Sequence, residues 1–234
     1  MDILFNNQIS IFEYSFFKYL TPKQTTKLYT SNRLLYNILV DNYRFESYYF
    51  TPKSISELYN AVNSWCINSD IAIIQYGNIG FWNTKYITTM NILFWKKYNF
   101  NNDISDWNTT NVKSMTNMFN SAYIFNQSLN NWNISNVINV SGMFNCATQF
   151  NQPLNKWDTS NIIYMTDMFR LAIEFNQDLN SWNIHSVKRI TNIFYTNKRF
   201  NINNKFNKLN CKDWDLSNIT EQDKYGLFTV LNYN

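Results

Sequence analysis

One histidine, three cysteines and a few close acid pairs are all that this 234-residue chain offers for chemistry. His185 has no second imidazole with which to form a dyad or a His-rich metal site. Cys66, Cys146 and Cys211 lie far apart and outside any CxxC spacing, so they are expected as reduced thiols used as small core residues. The pairs Asp103/Asp106 and Asp213/Asp215 have the spacing of solvated turns and caps rather than of catalytic carboxylates. No Gly-rich phosphate loop, P-loop or GxSxG elbow occurs. The expectation is therefore recognition rather than catalysis, with no catalytic, cofactor-binding or metal residue.

Charge narrows the partner. The net charge of +4 is modest, and seven basic residues with no acid fall between His185 and Lys212. No nucleic-acid motif accompanies them, so they are read as a solvated basic rim, and nucleic acid is not the expected partner. Asp2 and the lack of an uninterrupted apolar run at the start argue against a secretory signal. No window approaches the roughly 20 apolar residues of a membrane span. An intracellular protein without membrane contact is expected.

The elements that would position a binding surface are written as repeats. Aligned on Phe-Asn, four consecutive 25-residue units begin at Phe100, Phe125, Phe150 and Phe175. Each sets a Trp seven residues on (Trp107, Trp132, Trp157, Trp182) and a β-branched residue five beyond it (Val112, Val137, Ile162, Val187). Then come Met115, Val140, Met165 and Ile190, followed by Met118, Met143, Met168 and Ile193, each with a Phe beside it. A degenerate unit covers 75–99, and an irregular C-terminal cap covers 200–234, where Trp214 arrives seven residues late. Atypical end units are what a stacked array needs, because its outermost faces meet water.

The period falls in the range of about 20–29 residues typical of leucine-rich-repeat solenoids. From the Trp to the β-branched residue the spacing suits a short strand. The M-x-x-M-F-x-x-A stretch has helical spacing, and V-x-x-M-x-x-M-F could equally be one longer helix. The fold class expected is an α+β repeat, a short leucine-rich-repeat-like solenoid of parallel strands and helical turns. The chain holds 41 Asn against four Gly and three Pro, so some Asn must serve inside regular structure. Asn101, Asn126, Asn151 and Asn176, at one position in every unit, are expected to form a ladder of stacked amides.

Positions that vary while their neighbours stay constant are the better guide to function. Lys113 and Ser114, Ile138 and Asn139, Ile163 and Tyr164, and Lys188 and Arg189 are such pairs. With that stretch as the sheet, they face solvent on the broad face, and they are the expected partner-binding residues. Before the array, residues 1–50 read as an all-helical domain and 51–74 as capping helices. Ser54 with Glu57 makes a capping box for an amphipathic helix bearing Ile55, Leu58, Val62, Trp65 and Cys66, and a second helix is expected over Asp70–Tyr76.

Two resemblances follow from these residues. The repeat F-N-Q-x-L-x-x-W-D/N-x-S-N-V-x-x-M-x-x-M-F resembles the BspA-like leucine-rich-repeat proteins over about 75–220. That family implies a solenoid and protein-binding roles without enzymatic activity. Leu20-Thr21-Pro22-Lys23, the Ser31-Asn32-Arg33 step and the closing aromatics look like an F-box over roughly 9–50, with Gln8-Ile9-Ser10 where the opening Leu-Pro pair would stand. That likeness implies a ubiquitin-ligase adaptor as partner and a substrate-receptor role. The two modules together look most like a protein of a large DNA virus. A third expectation is accordingly a structural virion component, packed against capsid or internal proteins.

Overall fold

A computed structural model of the protein describes residues 50–195, 211 and 213–228. The F-box-like reading lies outside these residues, save for Phe50 at its boundary.

Two helices precede the repeats. Helix α1 (Ile55–Ile67) starts at Ser54, whose Oγ accepts the Glu57 N–H at 3.2 Å. The Glu57 carboxylate turns back to the N–H of Lys53 at 2.8 Å, so the reciprocal bond of the capping box falls one residue before the cap. Leu58, Ala61, Val62 and Trp65 are buried at helical spacing, and Trp65 packs edge-on against Trp82 at 6.0 Å. Cys66 is exposed and Cys146 half-buried, so the expectation that the thiols serve as core residues is corrected for these two, while the half-buried Cys211 packs against the core. Burial pushes the Cys211 thiol up to about 11. Helix α2 (Ser69–Tyr76) is capped by Asn68 and ends at Gly77, whose φ of 71° closes the turn.

From residue 79 to residue 195 the chain makes coils of 25 residues that bond to one another at that interval. Parallel bridges join Thr89 to Ser114, Ser114 to Asn139, Asn139 to Tyr164, and Tyr164 to Arg189. The pairing is one residue wide. It falls two residues beyond the β-branched position, not between Trp and that position as the spacing suggested.

The Met-Phe stretch forms no helix in the described residues but two consecutive turns. Met118 N–H closes on Met115 O at 3.2 Å and Ala122 N–H on Phe119 O at 3.0 Å. The third residue of each turn is left-handed, Asn117 at φ 54° and Ser121 at φ 61°, the position where Gly or Asn is favoured. Those residues stop helical propagation and aim alternate amides out of the coil. Met115, Asn117, Phe119 and Ser121 accordingly donate to Asn139, Ser141, Met143 and Asn145 of the next coil at 2.8–2.9 Å. An i, i+3 apolar spacing serves a turn as well as a helix, since both ends of the turn point inward.

The other half of each coil is laced by side chains. Trp107, Trp132, Trp157 and Trp182 each donate Nε1–H to the carbonyl 28 residues back, at 2.8–3.1 Å. Buried Thr84, Thr109 and Thr159 donate their hydroxyls to carbonyls of the next coil at 2.8–2.9 Å. The Asn ladder runs from each Asn side chain to the backbone N–H of the next Asn and the side-chain amide of the Gln after it, not from one equivalent Asn amide to another. Asn101 Oδ1 accepts the backbone N–H of Asn126 at 2.9 Å and Nε2–H of Gln127 at 3.0 Å, and Asn126 and Asn151 repeat both bonds. The residue after each Trp closes a short turn: Asn108, Asn133, Asp158 and Asn183 each accept the N–H two residues on.

Inside, like residues stack on like. Phe94, Phe119, Phe144, Phe169 and Phe194 form one column at 5.2–5.8 Å, and Phe100, Phe125, Phe150 and Phe175 another at 5.8–6.0 Å. The columns touch within each coil at 3.9–4.0 Å. Burying side chains of this size contributes on the order of 2–3 kcal/mol each, so this aromatic spine is a large part of the apolar stabilisation of the stack.

The last unit regains register despite its seven extra residues. Trp214 stacks on Trp182 at 6.2 Å and donates Nε1–H to Leu179 O at 2.9 Å. Helix α3 (Glu221–Phe228) then closes this end. Its Asp223 is wholly buried, accepting hydroxyl bonds from Thr191 and, at 2.9 Å, from Thr220.

Candidate functional site

The bridge ladder gathers the variable pairs onto one face. Ser114, Asn139, Tyr164 and Arg189 are themselves the bridged residues, and Lys113, Ile138, Ile163 and Lys188 form the column beside them. Behind them Val112, Val137, Ile162 and Val187 on one side, and Met115, Val140, Met165 and Ile190 on the other, point into the core. A pair between two inward residues is thereby held outward, and the bridges at about 4.8 Å per rung make the columns regular.

Along the ladder the face changes character. Lys113 is exposed, and Ser114 and Asn139 are half-buried. Ser114 Oγ donates to Asn91 Oδ1 at 2.7 Å, which tethers it to the preceding coil. Ile138 is 40% exposed and Tyr164 41%, with Ile163 half-buried between them. Lys188 is exposed. Arg189 is exposed too, but its Nη1 lies 3.8 Å from Asp223 Oδ2, so it also fastens α3 to the ladder. Neither Lys113 nor Lys188 has an ion pair among the described residues.

Asp223 is the residue that reading the repeats overlooked. Its signal was Thr220 three residues before it: the Thr220 hydroxyl accepts the Asp223 N–H at 3.2 Å while donating to the carboxylate. Asp103 and Asp215 each close a turn onto the N–H two residues on. The bond from Ser217 N–H holds the Asp215 carboxyl below the usual range. His185 Nδ1 lies 3.1 Å from Asn218 Nδ2. Among the described residues no group of three or more His, Cys, Asp or Glu could hold a metal, and no helix is long and apolar enough to cross a membrane.

A family model described as "Mycoplasma protein of unknown function, DUF285" matches residues 56–162 and again residues 135–226. The chain belongs to this family. The two matches start in α1 and in the third bridged unit and overlap by about one unit, as a repeat family's would. No curated protein and no solved structure matches the chain. DUF285 membership thus describes the repeat and assigns no activity to it.

Proposed function

We propose that this DUF285 chain is a non-catalytic scaffold that binds a partner protein through its bridged face. In this reading the stacked coils are a short BspA-like, leucine-rich-repeat-like solenoid. The observation that carries it is the outward column pair running from Lys113–Ser114 to Lys188–Arg189. Four residue pairs, no two alike, stand on a backbone ladder, against a core that repeats from coil to coil. Exposed Ile138 and Tyr164 at its centre supply the apolar and aromatic area that binding hot spots use.

Photo-crosslinking tests the reading. A benzoylphenylalanine placed at Ile163 should trap a defined protein in lysate of the source cell, and one at Asn131, exposed after a different turn, should not. Equal adducts from both positions, or none from Ile163, would sink it.

A further inference from the structure

The stretch 85–91 and its copies at 110–116, 135–141, 160–166 and 185–191 contain no Asp or Glu. The same five stretches hold Lys85, Lys113, Lys188 and Arg189, while Asp158 and Asp167 fall just outside them. Arg189 is already partnered by Asp223, and Lys85 lies with Lys53 over the ring of Tyr86 at 5.3 Å and 4.0 Å. That leaves Lys113 and Lys188 as two cations at either end of an uncharged centre made by Ile138, Ile163 and Tyr164.

The geometry points to an acidic extended protein segment as the occupant of this face, with an Asp or Glu at i and at i+4 and an apolar residue at i+2. This rests on the reading of the bridged face as a protein-docking surface. Three rungs separate Lys113 from Lys188, about 14 Å at roughly 4.8 Å per rung. An extended segment rises about 3.3 Å per residue and turns alternate side chains the same way, so carboxylates four residues apart span about 13 Å. The side chain between them falls over Ile138 and Tyr164. A nucleic acid fits less well, because a duplex carries one charge per roughly 1.7 Å and would set phosphates over the apolar centre.

The test is selection of a displayed random-peptide library on the full chain, with two double variants as comparisons. Clones selected on the wild type should carry acid-x-apolar-x-acid, and they should bind the Lys113→Glu/Lys188→Glu form about tenfold or more weaker. They should also weaken on Ile138→Ser/Tyr164→Ser. Clones lost on the Ser pair but indifferent to charge reversal overturn the acidic partner and keep the docking face. Clones indifferent to both, or no enrichment at all, overturn the docking face itself. A labelled single-stranded DNA that binds more tightly than the selected clones overturns both in favour of nucleic acid. Unchanged near-ultraviolet circular dichroism of the tryptophans checks that each variant is folded.

Discussion

The guanidinium of Arg189 lies 3.8 Å from the carboxylate of Asp223, so the last rung of the exposed ladder is also the anchor of helix α3. Asp223→Ala removes the acceptor for the Thr191 and Thr220 hydroxyls and strips a buried site of its carboxylate. The expected cost is about 2–4 kcal/mol. It should appear as faster hydrogen exchange of the α3 amides than of the central coils. Arg189→Ala should cost about 1 kcal/mol or less, because its side chain is 60% exposed. Unaltered exchange of α3 in Asp223→Ala would show that the carboxylate is not its anchor.

Left-handed turn positions make a second prediction, of opposite sign at two sites. Ile92 is a β-branched residue at φ 54° and 44% exposed, so Ile92→Gly should stabilise by about 1 kcal/mol, read from the urea midpoint. The equivalent residue two coils on is Gly142 at φ 63°, where an added Cβ would collide with Asn117 Oδ1. Gly142→Ala should destabilise by about 1–2 kcal/mol, since the Asn117 amide must swing away from Asn120 as well. Shifts in the same direction at the two sites would contradict this.

The side chains of Asn101, Asn126 and Asn151 enter the ladder through their Oδ1 atoms. Asn126 Oδ1 accepts from Asn151 N–H and Gln152 Nε2–H, both at 3.0 Å. A single Asn126→Asp should therefore be tolerated within about 1 kcal/mol, whereas Asn126→Leu strands both donors and costs about 1–3 kcal/mol. Thermal midpoints rank the two, and Asp falling as far as Leu would refute an acceptor-only role. Changing Asn101, Asn126, Asn151 and Asn176 together to Asp should fail, because carboxylates one rung apart repel. This is a physical reason for Asn in every copy.

Asp158 occupies the turn position that Asn108, Asn133 and Asn183 fill in the neighbouring coils, and the Ser160 hydroxyl and amide, at 2.6 Å and 3.1 Å, hold its carboxyl below the usual range. A depressed pKa adds stability above the unfolded-state value and loses it as pH falls through the folded one. Asp158→Asn keeps the turn, so it should nearly match the wild type at neutral pH and lose less stability on acidification. Parallel acid titrations of the two proteins would disprove the assignment.

The parts most legible in the sequence were those that repeat with one chemical meaning. Trp and Phe at constant spacing could only be interior columns, and Ser54 with Glu57 could only be a helix start. The Met115-to-Ala122 stretch was ambiguous because inward residues three apart suit both a helix and a pair of turns. Its second clue was the column Asn117, Gly142, Asp167 and Asn192, all turn formers and all left-handed in the structure. The tie between Arg189 and Asp223 stayed hidden for another reason: the partner sits beyond the place where the period breaks, so no column alignment brings the two together. The variable pairs were visible as exceptions, yet only the bridges set them side by side.

The constant rise of the bridge ladder makes the protein a ruler. Each coil takes the same backbone bonds from its predecessor and gives the same backbone bonds to its successor, so one whole unit is an interchangeable part of that ladder. Removing residues 125–149 as a block would bring Phe119 against Phe169 and Trp107 against Trp157 through contacts the stack already uses. It would also bring Lys113 and Lys188 nearer by one rung, about 4.8 Å. Copy number, rather than any single substitution, then sets the gauge between the two charges.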